Sequence, residues 1–176
     1  MDHVSIDPTR RDSPTAGVPG VAFKEWAVIC RGLAAGRQDV ILRKGGIVEP
    51  GGRFRVEHES FLLLPTFLHQ DRSQLVPEAA DLFTAIDDDR PPVGTAVFRL
   101  QARVREVHEV RSLAGLAAFR RRHLWTDAVV AERFHRWQDL LHVLVVEVAP
   151  LPMPLVVPWR AEFDGCKSWV AIPPPT

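Results

Sequence analysis

The 176-residue sequence predicts an α+β fold built on a curved, partly closed, mostly antiparallel sheet with several short helices. Three observations lead there. Strand-like and helix-like stretches are mixed without the regular βαβ alternation of a parallel sheet. Thr95 to Val110 alternates, with Ala96, Phe98, Leu100, Ala102 and Val104 on one face and Arg99, Gln101, Arg103 and Arg105 on the other. A chain of this length with 46% hydrophobic and 25% charged residues can also bury one core without disulfide or metal staples.

Each element has its own signal. Residues 1–22 are rich in Pro, Gly, Asp and Ser, lack the apolar stretch of a secretory signal, and read as a flexible arm. Residues 23–172 read as one globular domain, and 173–176 as a Pro-rich tail. Phe23, Trp26, Ala27, Cys30 and Leu33 have helical spacing, with Gly36 placed to cap the C-terminus. Gln38 to Arg43 is a short strand leading into a Lys44-Gly45-Gly46 turn. Phe61 to Leu64 is a buried strand stopped by Pro65, and Pro77 to Ile86 is a short helix with Pro at its first position. The apolar phase slips at Val107, which predicts a β-bulge or bend near Arg105. Ser112 and Thr126 cap two further helices, the second turning Val129, Val130, Phe134 and Trp137 inward. Leu141 to Val148 is a strand from which a proline-laced segment leads away, and Cys166 to Ile172 is a closing strand.

Composition excludes several function classes. The 22 basic and 22 acidic residues cancel, so the chain is neither polybasic nor an acidic tail. The most apolar late stretch, Leu140 to Trp159, holds Glu147 and four prolines, so no membrane helix is expected. Cys30 and Cys166 form no CxxC pair and are expected to be reduced thiols of a soluble, cytoplasmic protein.

The chemical motifs are equally sparse. Gly45-Gly46 belongs to neither a P-loop nor a dinucleotide fingerprint, although Arg43 and Lys44 beside bare backbone N–H groups suit an anion as well as a solvated turn. The seven histidines make no HExxH or His/Cys quartet, so neither a metal site nor a cofactor is expected. No serine sits in a GxSxG elbow, and Cys166 beside Lys167 reads as a structural thiol before a nucleophilic one. Glu162, Asp164 and Lys167 approximate a nuclease's carboxylate-plus-lysine set only by adjacency.

The charge map says more. Residues 24–55 carry seven basic against three acidic side chains, residues 103–136 eight against four, and residues 56–102 three against eight. Arg120-Arg121-Arg122, Trp125 and Arg133 interleave guanidinium groups with an aromatic, a mixture suited to phosphate contact with base stacking and also to a solvated helix face. The first functional reading is therefore a non-catalytic nucleic-acid-binding domain. Arg37, Arg43, Lys44 and Arg55 form one phosphate-contacting group, Arg121, Arg122 and Arg133 the second, and Trp125 or Trp169 the stacking surface. The second is a small metal-dependent nuclease or hydrolase, which needs Glu25, Glu57, His58, His69 and Lys167 to converge, with Gln70 in the same polar pocket. A protein-binding accessory domain is the third.

Phe23-Lys24-Glu25-Trp26, Gly36-Arg37-Gln38, Leu42-Arg43-Lys44-Gly45-Gly46-Ile47 and Glu49 resemble the bacterial domain of unknown function 1802 family. So do Phe54, His58, Phe61, Pro65-Thr66 with His69-Gln70, and Gly165-Cys166-Lys167-Ser168-Trp169. The resemblance runs from about residue 23 to 172 and supplies no catalytic assignment. Relatives joined to a restriction-endonuclease-like domain imply a link to DNA restriction or modification, in which a separate nuclease or modification subunit would act from another chain. The order of a long strand, a helical insertion holding Trp125 and Arg133, and a Val-rich strand also resembles the PUA, ASCH and EVE barrels. That likeness implies binding of RNA or flipped, modified bases.

Overall fold

The computed structural model describes residues 2–3, 18–44, 58–165 and 167–172. Seven strands form one sheet: β1 (Asp2–His3), β2 (Val21–Trp26), β3 (Val40–Arg43), β4 (Ser60–Thr66), β5 (Thr95–Val110), β6 (Leu141–Pro158) and β7 (Trp169–Ala171). The main path runs β3-β6-β5-β4-β2-β7, with β1 alongside β5. Only β2 and β4 are parallel; every other pair is antiparallel. Among the described residues the edge strands β3 and β7 do not pair with each other, so the described sheet is not closed. It curls nonetheless, because Arg43 at the end of β3 donates to the Lys24 carbonyl on β2 at 2.6 Å.

Helices are short: α1 (Ala27–Ala34), α2 (Ala80–Thr84), α3 (Leu113–Leu116) and α4 (Asp127–His135). Among the described residues none is long and apolar enough to cross a membrane. Gly36 has φ 65°, the left-handed conformation that ends a helix at little steric cost. The Ser112 and Thr126 side chains accept from Gly115 N and Val129 N, as the sequence predicts for N-caps.

Two hydrophobic clusters lie on opposite faces of the central strands. Phe61 and Leu63 of β4 join the larger cluster with α1, α4 and the β5–β6 ribbon; Leu62 and Leu64 join Phe98 and Phe163 in the smaller. A strand buried on both faces needs a continuous apolar run, which accounts for Phe-Leu-Leu-Leu.

Four local expectations need correction. Residues 21–26 are strand rather than helix, since parallel pairing to β4 and antiparallel pairing to β7 claim them first. Pro65 does not stop β4, which continues to Thr66 beside β2. The proline-laced segment does not leave the sheet. Its pairing to β5 breaks between Leu100↔Pro150 and Phe98↔Leu155 and then resumes to Pro158. Trp137 turns outward, 63% exposed and at φ 69°, because the chain reverses at the end of α4. The bulge near Arg105 is present as a register shift between Val104 and Glu106.

Candidate nucleic-acid interface

Where the sheet fails to close, its mouth opens as a cleft of about 1320 Å³ between β2, the ends of β3 and β4, the C-terminus of α4, and the turn before β7. Among the described residues six cationic side chains line it, Lys24, Arg43, Lys44, Arg133, Arg136 and Lys167, with three carboxylates, Glu25, Asp89 and Asp164. Four of the five tryptophans also line it: Trp26, Trp137, Trp159 and Trp169.

The floor is built by strand alternation. Phe23 and Glu25 share the inward face of β2, and Phe23 is fully buried. Glu25 is only 8% exposed, and its carboxylate accepts from Trp26 N at 2.9 Å and Arg43 Nη2 at 3.2 Å. The Arg43 guanidinium lies 4.1 Å from the Phe23 ring centre, with its Nε buried and unpartnered. Trp169 meets the same ring at 4.6 Å, edge-on, and its indole N–H is likewise buried without an acceptor.

The wall opposite comes from α4. Val130 and Phe134 anchor this helix in the core, and Lys44 caps its end, donating to the carbonyls of Phe134 at 2.6 Å, Leu140 at 2.9 Å, and Gln138. That anchoring sets Arg133 3.8 Å above the Trp125 ring, a cation–π contact, with Trp125 held in turn by Trp26 at 4.9 Å. No described carboxylate hydrogen-bonds or ion-pairs with Arg133. Burial pushes its pKa down, Glu25 pulls it back up, and Arg43 pushes it down again.

The residues predicted from sequence divide into two groups. Arg43, Lys44, Arg133 and Trp169 line the cleft, with Glu25, His69 and Lys167 beside them. Asp164 lines it too, while the other described candidates do not. Arg37 forms a two-pronged pair with Asp81 at 2.8 and 2.7 Å, and Arg122 does the same with Asp39 at 2.9 and 2.8 Å. Arg121 is exposed away from the cleft. Trp125 is 2% exposed beneath Arg133, so it supports a cation and leaves no face for a base. Gln70 is a scaffold residue: its side chain accepts from Val28 N at 3.4 Å and donates to Thr66 O at 2.9 Å, serving the first turn of α1. His58 packs on Trp169 at 5.4 Å outside the lining. Gly45, Gly46, Arg55, Glu57 and Cys166 lie outside the described residues. Sequence reasoning missed Trp26, Arg136, Trp137 and Trp159; five tryptophans without a single tyrosine was the available signal.

Among the described residues no group of three His, Cys, Asp or Glu could hold a metal ion. Cys30 is buried, and burial raises its thiol pKa, which makes it a poor nucleophile.

The profile for Domain of unknown function (DUF1802) matches residues 22–176. The chain belongs to this family. No curated protein matches the sequence. Among solved structures, this DUF1802 chain is similar to the ASCH protein of Zymomonas mobilis, with TM-score 0.53 and 10% identity over 87% of each chain. A tyrosine-to-phenylalanine variant of that protein gives TM-score 0.52 at 10% identity, covering 87% of this chain and 89% of that one. A serine-to-alanine variant gives 0.50 at 10% identity over 87% of each. At that identity the likeness is one of fold, and it agrees with the PUA-like architecture expected from sequence.

Proposed function

We propose that this DUF1802 domain is a non-catalytic module that binds single-stranded or locally unpaired nucleic acid in the cleft. One observation carries the reading: cations from the two basic segments of the sequence meet in one concave site with four tryptophans. Guanidinium and ammonium groups follow a phosphate backbone, and an exposed indole stacks on any base at ~1–3 kcal/mol. Trp137 and Trp159, 63% and 42% exposed, have open ring surface for this. In this reading the curled sheet works as a PUA-like barrel whose open mouth takes an unpaired base. The domain acts in the cytoplasm as one unit over residues 23–172. A link to DNA restriction or modification would run through a separate subunit that carries the chemistry.

A mobility-shift titration of single-stranded RNA, single-stranded DNA and duplex tests it. The single strands are expected to bind more tightly than duplex, with affinity falling as salt rises. Absence of binding to every strand at low salt would overturn the reading.

A further inference from the structure

The floor of the cleft carries an unbalanced charge. Glu25 pairs with Arg43 at 3.2 Å and acts electrostatically on Arg133 as well; of the other carboxylates lining the cleft, Asp89 is paired with Arg31 at 2.6 Å while Asp164 accepts from the neutral Trp159 indole at 3.2 Å. Two guanidinium groups, both part-buried in the lining of the cleft, thus share one carboxylate. A desolvated cation without a counter-charge is costly, and proteins seldom keep one unless something pairs with it. The Arg133 guanidinium lines the cleft without an ion pair among the described residues, and Arg43 has Glu25 as its one described carboxylate partner. Lys44, by contrast, has its three ammonium hydrogens directed at three backbone carbonyls.

We propose that Arg133 and Arg43 form a binding site for one phosphate group. The planar guanidinium fork matches two phosphate oxygens, and cation–π contact with Trp125 fixes Arg133 before the ligand arrives, so little rotamer freedom is lost on binding. The inference rests on the nucleic-acid reading for the source of the phosphate, not for the chemistry of the site. That source is either a strand terminus or an internal phosphodiester.

The test uses the full chain and Arg133→Gln, which keeps the stem and removes the charge. Arg103→Gln is a control for lost charge, since Arg103 is exposed on β5 outside the cleft. Urea midpoints establish that each variant folds, and Arg133→Lys restores a point charge without the fork. Inorganic phosphate is titrated while the arginine Nε–Hε resonances are followed by NMR. Oligonucleotides with 5′-phosphate, 3′-phosphate or hydroxyl ends are compared in fluorescence anisotropy. Phosphate is expected to shift the Arg133 resonance and to compete with the strand. Arg133→Gln is expected to weaken strand binding at least tenfold, with Arg133→Lys intermediate and Arg103→Gln near wild type. A preference for phosphorylated ends assigns a terminus, and equal binding assigns an internal phosphate; either supports the site. If Arg133→Gln binds phosphate and strand as tightly as Arg103→Gln, the site is wrong while the binding module stands. If the wild type binds phosphate at Arg133 but no strand at all, the site stands and the nucleic-acid reading falls.

Discussion

Lys44 shows how misleading a cation next to glycines can be. Its charge and position suggest a phosphate contact, yet the ammonium is committed to the end of α4. Lys44→Met leaves the carbonyls of Phe134 and Leu140 without this donor and is expected to cost about 1–3 kcal/mol of stability in urea denaturation. His123 makes a second residue-scale prediction. It is 5% exposed, and burial pushes its pKa below the ordinary 6.5; His142, 2% exposed, is shifted the same way for the same reason. As pH falls below about 6.5 the unfolded chain takes up protons that the folded chain resists, so stability present above that pH is lost on acidification. The carboxylates Asp71 and Asp81 are shifted below 3.8, so their contribution is lost only at lower pH. The urea midpoint is therefore expected to drop between about pH 7 and pH 5, and His123→Leu should flatten part of that drop.

At the scale of elements, local signals were most legible where one physical cause acts alone. The caps at Ser112 and Thr126, the left-handed Gly36 and the bulge at Arg105 follow from side-chain hydrogen bonding, sterics and alternation within a few residues. They failed where partners decide. Residues 21–26 satisfy a helical spacing, but their backbone pairs with β4 and β7, so Phe23 is buried in one cluster and Ala22 in the other. Pro65 and the prolines of β6 likewise sit in strand because the pairing on either side outweighs their local preference. The cap of α4 also has a functional consequence, because this helix carries Arg133. Thr126→Ala is expected to lose about 1 kcal/mol of stability. It should also weaken oligonucleotide binding measurably, whereas Ser112→Ala at the cap of α3 should lower stability without weakening binding.

At the scale of the whole molecule, the neutral total charge hides a cleft in which, among the described residues, six cations face three carboxylates. Arg43 and Arg133 share one phosphate in the proposed site and Lys167 is placed to meet a second, Arg136 being paired with Glu132, which for a single strand predicts a log–log salt slope of about −1.4. A slope near zero in the same titration would mean that stacking alone holds the ligand. The sequence by itself determined the class of fold, the long alternating strand, the caps and the existence of two basic segments, because these depend on residues close together in the chain. Only tertiary structure decided which cations are spent. Arg37 and Arg122 are consumed by Asp81 and Asp39, 44 and 83 positions away, while Arg133 sits over a tryptophan with no described carboxylate paired to it. Whether a charge is neutralised or available depends on which strands and helices bring its partner near, and in this chain the curl of an unclosed sheet leaves Arg43 and Arg133 facing one cleft.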